Sequence, residues 1–467
     1  MTTLSPTVAE RLKEIVGLGN FLEGADIGPR YSQDLWGGDP RGEPQLVLKP
    51  GSTEEVAEIL HACSETGQPI VPQGGMTGLV SAGVPDDTEA VLSLERMNRI
   101  EEVDPLAGTM TVQAGAILQV VQERAAELGL MFPLDLGSRG SCTIGGCIST
   151  NAGGNRVLLY GMTRDLLLGI EAVLADGTVV NGMRKLVKDN AGYDVDQLFV
   201  GTEGTLGVVT RALLRLRPLP TTQAAAFCAL RSAEDAVALL RHLQGALPGM
   251  VSAFEAIWWS AYRVLFAVRD SVRIPFEDEH PIYVLAECQG SHPETDTERF
   301  TAALAEREDL VEDAVVATSA EEVRELWSVR ERVSEELLKL RPLFGFDISL
   351  PISELDRCLD EIDHELREQW PHVQLAAFGH LGDGNVHIAV LTGETTKERK
   401  PIVEEIVYRN VGRHAGSISA EHGIGFEKRP YLHYSRSEQE IDVMRRLKRA
   451  LDPANVLSPG RIFLLEP

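Results

Sequence analysis

Apolar positions along the chain follow two periods. Residues 53–66 place Val56, Ile59 and Leu60 at helical spacing, and 117–128 repeat the pattern, so both predict helices with one buried face. Short apolar runs at 69–72, 91–94, 109–114, 166–174 and 208–216 predict strands. The sequence Arg217-Pro218-Leu219-Pro220, followed by two threonines, breaks the pattern and predicts a domain boundary near 220. Beyond it, runs at 224–230, 252–258, 282–287, 313–317, 346–350, 373–378 and 386–391 predict strands. They are interspersed with helical patterns at 233–247, 295–305, 320–340 and 352–368, and 436–451 predicts a last helix. Helices on an antiparallel sheet are the simplest packing for that order, and the whole chain reads as α+β. The expected division is 1–220, 221–425, and a helical segment 426–467 that returns to the first domain.

Composition narrows the classes of function. Lys and Arg number 44 against 70 Asp and Glu, a formal net charge of −26. So acidic a surface repels nucleic-acid phosphates and anionic lipid, which excludes both as expected partners. No apolar run approaches the ~18 residues of a membrane span. The N-terminal residues lack a basic start leading into an apolar stretch, so no secretory signal is expected and the cytoplasm is the expected compartment. The six cysteines, Cys63, Cys142, Cys147, Cys228, Cys288 and Cys358, are scattered without a Cys-x-x-Cys. That argues against an iron–sulfur cluster or structural zinc and for small buried apolar side chains.

Glycine and histidine are unevenly spread. Eight glycines fall within the 33 residues from Gly137 to Gly169, and Gly74, Gly75, Gly78 and Gly83 form another group. Glycine gathers where backbone takes positive φ or presses on a ligand. Pro72-Gln73-Gly74-Gly75-Met76-Thr77-Gly78 follows a predicted strand, and successive amides in such a turn converge on an anion. It matches neither the Rossmann nor the P-loop spacing, and by itself a Gly-Gly turn is more often only a turn. More specific is the stretch from Pro133 through Gly137, Ser141, Thr143, Gly145, Gly146, Ser149 and Asn151 to Gly153 and Gly154. There small hydroxyls and amides alternate with glycine and almost no charge. A third stretch runs from Val200 through Glu203, Gly204 and Gly207 to Val208 and Val209.

These three segments, in this order and spacing, resemble the flavin domain of the FAD-linked oxidases of the vanillyl-alcohol oxidase type. The branch matched is that of the D-2-hydroxyacid dehydrogenases, which includes D-lactate and D-2-hydroxyglutarate dehydrogenases and the glycolate oxidase flavoprotein subunit. The resemblance covers about 45–465. It implies a two-subdomain FAD-binding domain plus an α/β substrate, or cap, domain with an antiparallel sheet. It places FAD pyrophosphate over Gly74, Gly75, Met76, Thr77 and Gly78, and the flavin ring near 143–151 and 204–209, with Asn385 close by. Some relatives tether FAD through a histidine in the first glycine loop; Met76 and its neighbours include none, which implies a non-covalent cofactor.

Six of the eleven histidines lie in the last hundred residues. His380 and His387 flank a Gly-Asp-Gly turn, and Glu421-His422 lies between small residues. Two imidazoles and one carboxylate can form an open metal site, although a histidine pair at this spacing is more often no ligand pair. The resemblance puts the metal ligands on His380, His387 and Glu421, with zinc the first choice and manganese the second. It makes His422 the catalytic base. In Trp327-Ser328-Val329-Arg330 the helix would ordinarily present a solvated arginine; the resemblance makes Arg330 the clamp for the substrate carboxylate and Ser334 a further substrate contact. His372, His414 and His433 lack such company and read as structural or exposed.

Two positions depart from the hydroxyglutarate branch. Gly345 stands where that branch has a lysine, and Ala389 where it has an asparagine. Both losses remove polar substrate contacts, count against 2-hydroxyglutarate and open the pocket to a less polar or bulkier side chain, with the acid itself left open; D-lactate-type members also lack both groups. The implied function is oxidation of a D-2-hydroxy acid to the 2-oxo acid, with hydride passing to flavin N5. An external acceptor, such as an electron-transfer flavoprotein or a quinone, would reoxidise the flavin, and a homodimer is the base-rate expectation. The alternatives are a metal-independent alcohol or phenol oxidase, a non-redox flavin transferase of the same fold, and an electron-carrier subunit.

Overall fold

The computed structural model describes residues 6–35, 41–340, 342–394 and 396–465. The chain forms two compact units. The first runs to Gly154, resumes over Gly161–Leu219, and takes the chain back from Glu421 onward; the second comprises Asn155–Tyr160 and Pro220–Ala420.

The first unit opens with α1 (Pro6–Val16), β1 (Phe21–Glu23), β2 (Leu46–Leu48), α2 (Thr53–Thr66), β3 (Ile70–Gln73) and β4 (Ala90–Ser93). These strands form a sheet in the order β1-β2-β4-β3, parallel except for its β1 edge. The Ser52 hydroxyl caps α2 by accepting from the Glu55 amide, and Val56, Ile59 and Leu60 are fully buried, as their spacing predicts. Next come β5 (Ile100–Asp104), β6 (Thr109–Gln113), α3 (Leu118–Ala126), β7 (Leu130–Met131) and α4 (Ile144–Thr150). A four-residue helix, α5 (Val157–Tyr160), belongs to the second unit. The first unit then resumes with β8 (Leu167–Val173), β9 (Val179–Asn181), β10 (Val208–Arg215) and β11 (Arg217–Pro218). A five-stranded antiparallel sheet has the order β5-β6-β10-β8-β9, and β11 pairs with β7.

The second unit is one antiparallel sheet of seven strands covered by helices. In chain order it comprises β12 (Thr222–Leu230), α6 (Ala233–Ala246), β13 (Val251–Trp258), α7 (Trp259–Tyr262), β14 (Ile282–Gly290), α8 (Asp296–Ala305) and β15 (Val311–Val316). Then follow α9 (Ala320–Lys339), β16 (Phe344–Ser349), α10 (Leu355–Gln369), β17 (Gln374–His380), β18 (Asn385–Leu391) and α11 (Arg399–Arg413). The strand order is β15-β12-β14-β13-β17-β18-β16. The helix α9 lays Val323, Leu326, Val329, Val333 and Leu337, a stripe at helical spacing, on a core that includes Phe227, Ile257, Leu285, Phe378 and Ala389. One face of the sheet is therefore roofed by the helix that carries Arg330.

The last helix, α12 (Glu438–Leu451), starts at a capping box between Ser437 and Glu440 and lies in the first unit. All six cysteines are buried and unpaired. Among the described residues, no helix is long and apolar enough to cross a membrane.

Candidate active site

Strand register assembles a polar cluster on the sheet of the second unit. Glu255 of β13 stands directly opposite His380 of β17, and Asp347 of β16 directly opposite His387 of β18. Each histidine thus meets a carboxylate across a strand boundary. His380 Nδ1 lies 2.6 Å from Glu255 Oε1, and His387 Nδ1 lies 3.7 Å from Asp347 Oδ1. The hairpin around Gly384, whose φ is 81°, sets the two imidazole rings 5.5 Å apart at 80°. The Glu255 contact at His380 Nδ1 is of hydrogen-bond length, so Nε2 is the atom that ring can present to an ion, as in metal-binding histidines whose other nitrogen is held by a carboxylate, whereas Asp347 stands near His387 Nδ1 beyond hydrogen-bond distance. The donor set of the second unit therefore fits a divalent metal.

Arg330 joins the same cluster. Its Nε donates to Glu255 Oε2 at 2.8 Å, one Nη donates to Ser334 Oγ at 3.2 Å, and the guanidinium lies over the Phe378 ring at 4.9 Å. Its second Nη has no hydrogen-bond partner among the described residues, so the guanidinium keeps donors that could bind a further acceptor. Glu255 is fully buried. Burial alone would raise its carboxyl, but the charges of His380 and Arg330 and their hydrogen bonds outweigh this and hold it at about 2. Trp327, one turn before Arg330, donates its indole N–H to Glu287 Oε2 at 2.8 Å, and Glu287 is itself fully buried. Neither Glu255 nor Glu287 stands out in the sequence: both sit inside apolar strands with no motif around them.

Asp347 orders the other side. It accepts from Asn385 Nδ2 at 2.8 Å through Oδ1 and from the Ala420 amide at 3.1 Å through Oδ2. Asn385 is buried, and its Oδ1 has no hydrogen-bond partner among the described residues. A donor on a bound group would satisfy that orphan. Gly345 and Ala389 are directly opposite each other on β16 and β18, so the two departures from the hydroxyglutarate pattern meet at one point of the sheet. His372 and His433 are exposed. His414 is buried between Glu354 and Glu361, each 2.9 Å from a ring nitrogen.

The first unit brings the glycine stretches together. A Cβ on Gly75 would lie 2.0 Å from the Ser141 carbonyl oxygen, and one on Gly74 would lie 2.3 Å from Thr143 Oγ1. The loop 74–78 is therefore pressed on the start of α4, an approach only glycine permits. Around Gly78 and Gly137, by contrast, the Cβ direction is open. The amides of 74–78 donate to no acceptor among the described residues, and Met76 has a φ of 53°. Successive unsatisfied amides in such a turn form a nest suited to a pyrophosphate, so this loop fits FAD.

The stretch from Thr143 forms the helix α4, capped by the Thr143 hydroxyl, with Gly145 and Gly146 in its first turn and Asn151 closing it in the left-handed region. Ser149 O accepts the Glu203 amide at 2.7 Å, which docks the third stretch on α4. A Cβ on Gly204 would lie 2.6 Å from the Pro72 ring, and Gly207 packs on Phe199. Val208 and Val209 are buried in β10, opposite Val173 and Ala172. The Glu203 carboxylate accepts the Ile424 and Gly425 amides at 2.7 and 2.8 Å, holding the turn after His422. Burial raises this carboxyl against those amides and the charges of Lys428 and Arg461. Gly154 fits against the Asp135 carbonyl and donates its amide to Glu421 Oε1 at 2.8 Å.

Comparison with known proteins agrees with this architecture. Residues 44–182 match the family model described as FAD binding domain, and 219–462 match that of the FAD linked oxidases, C-terminal domain. A protein of Schizosaccharomyces pombe that carries, by inference, the name of a mitochondrial D-lactate dehydrogenase is 38% identical, over 98% of this chain and 90% of its own. The mitochondrial D-2-hydroxyglutarate dehydrogenase of Bos taurus is also 38% identical, over 91% of this chain and 77% of its own. Among solved structures, the 4-ethylphenol oxidase of Gulosibacter chungangensis superposes with a TM-score of 0.75 at 17% identity, covering 99% of this chain and 98% of that one, a likeness of fold. With both halves matched in order and relatives at 38% identity covered over 77–90% of their own length, the chain belongs to the FAD-linked oxidases, beside relatives named as D-lactate and D-2-hydroxyglutarate dehydrogenases.

Proposed function

We propose that the chain is an FAD-dependent D-2-hydroxyacid dehydrogenase that works with a divalent ion, zinc or manganese, on His380, His387 and Glu421. The observation that carries this is the sheet face on which Arg330, with donors to spare, shares a buried carboxylate with His380. FAD, held non-covalently on the nest 74–78 and beside α4, supplies the hydride acceptor for the substrate's second carbon. Arg330 binds and orients the substrate carboxylate through its Nη atoms, with Ser334 beside it. An imidazole nitrogen of His422 takes the hydroxyl proton, and the ion's Lewis acidity makes that proton easier to remove. The product is the 2-oxo acid. Glu203 holds the chain just after His422, and Gly154 orients Glu421, so base and third ligand stand on ordered backbone.

Gly345 and Ala389 offer no polar group to a second carboxylate, which favours monocarboxylic substrates of the D-lactate type. An external acceptor, an electron-transfer flavoprotein or a quinone, would take up the two electrons that FAD receives from the substrate. A homodimer in the cytoplasm, where six thiols stay reduced, goes with the same proposal.

The test is anaerobic mixing with single enantiomers of 2-hydroxy acids, followed at ~450 nm where oxidised flavin absorbs. D-Monocarboxylates should bleach the flavin, their L enantiomers should not, and a chelator should slow the bleaching. If no hydroxy acid bleaches it, the proposal falls. If D-2-hydroxyglutarate outruns every monocarboxylate, the assignment of the side-chain pocket falls.

A further inference from the structure

We propose that Glu255 is a positioning residue that fixes the tautomer of His380 while it holds the Arg330 clamp, so that one buried carboxylate orders both the metal ligand and the substrate grip. The inference rests on the metal and substrate roles proposed above.

An ionised carboxylate only accepts hydrogen bonds. Arginine only donates, and it donates through Nε to Glu255 Oε2 at 2.8 Å. The other oxygen, Oε1, lies 2.6 Å from His380 Nδ1, so the ring must donate there as well. A neutral imidazole with its proton on Nδ1 presents the Nε2 lone pair, the atom a divalent ion needs. Cross-strand pairing keeps the contact from drifting, because Glu255 and His380 are register partners on β13 and β17. All three groups are nearly inaccessible, with Glu255 0%, His380 6% and Arg330 7% exposed, so water does not compete for these bonds.

Glu255→Gln separates the two duties. Its amide has one accepting and one donating end. Arg330 cannot accept, so the amide oxygen must face Arg330 and the NH2 must face His380 Nδ1. The ring then accepts at Nδ1, carries its proton on Nε2, and is lost as a ligand, while the clamp keeps its partner.

The experiment compares FAD-loaded wild type, E255Q and H380A, stripped of metal and titrated with zinc against a chromophoric chelator, a readout that needs no turnover. E255Q should bind zinc ~10–100-fold more weakly, with unchanged flavin absorbance per chain. At saturating zinc its KM for the acid that bleaches the flavin fastest should stay within about twofold while kcat falls. A merely structural role would move flavin content, KM and zinc affinity together. If E255Q binds zinc like wild type while H380A does not, the inference is overturned and the metal site stands. If H380A also binds like wild type, the metal site falls and the inference falls with it. Should E255Q fail to fold, E255D keeps the charge but shortens the reach, and must weaken zinc binding by at least about threefold; wild-type affinity in a folded E255D overturns the proposal.

Discussion

At the scale of the residue, Arg330 carries the sharpest expectation. Its guanidinium is held by Glu255, Ser334 and the Phe378 ring, and one Nη has no partner among the described residues. Methionine at this position keeps much of the volume and removes the charge. Truncating one partner of a buried charge pair costs about 2 kcal/mol or more, so R330M should lower kcat/KM at least ~30-fold, mainly through KM. It should also destabilise the second unit, because buried Glu255 loses the arginine charge paired with it. Steady-state kinetics together with a thermal melt check both halves; R330M kinetics like wild type would remove Arg330 from the site. The sequence pointed to Arg330 only through its Trp-x-x-Arg motif, since a charged helix ordinarily exposes its arginines. It was silent on Glu255, whose strand is apolar on both sides and whose partners lie 75 and 125 residues away. Motifs name the residues that touch ligands; the groups that orient them follow from register, which no local pattern encodes.

At the scale of the element, helices with a clear stripe and a serine cap were readable: Ser52, Ser232, Ser319 and Ser437 each cap the helix that follows. The helix α11 was not among the predicted elements. Its start holds Pro401, its interior is rich in Val and Ile, and only the buried set Val403, Ile406, Val407 and Val411 betrays the helical period. Nor was α4 among the predicted elements: it is only seven residues long, and Gly145 and Gly146 in its first turn are poor helix formers. His414 ends α11 and binds Glu361 of α10 and Glu354 just before it. Burial lowers its pKa, but the hydrogen bonds it donates to Glu361 and Glu354 outweigh this and leave it raised above 6.5. A raised histidine contributes stability below its ordinary value and loses it as pH climbs through the folded value. His414→Gln should therefore cost about 1–2 kcal/mol near pH 6, less than fully buried charged pairs because both carboxylates are partly exposed. The gap between wild-type and variant melting midpoints should narrow toward about pH 9. A gap independent of pH would show that the charged pairing contributes nothing.

At the scale of the whole molecule, what matters is how the chain's last segment, from Glu421 on, is fastened within the first unit. Among the described residues, Arg461 is the largest fully buried side chain. It pairs with both oxygens of buried Glu89 and donates to the carbonyls of Ala82, Val84 and Pro459, with Phe426 stacked 4.5 Å from its guanidinium. Beside it, Lys448 donates to Asp452 and to the Thr205 and Leu457 carbonyls. These bonds tie the C-terminal turn to the segment that follows the 74–78 nest, and the Phe426 amide bonds Val80 in the same place. The segment after the 74–78 nest, proposed above to hold FAD, is therefore secured by residues nearly four hundred positions away. Replacing Arg461 by methionine leaves the Glu89 charge buried without its partner, at a cost of about 3–5 kcal/mol. Flavin release on heating, followed by fluorescence, should occur at least about 5 °C lower. Removing both charges in R461M/E89Q should recover part of that loss, because a neutral pair leaves no orphaned ion. Release at the wild-type temperature in R461M would mean that the tail does not secure the cofactor bed, and a double variant weaker than the single would mean that Glu89 acts there through something other than its pairing with Arg461.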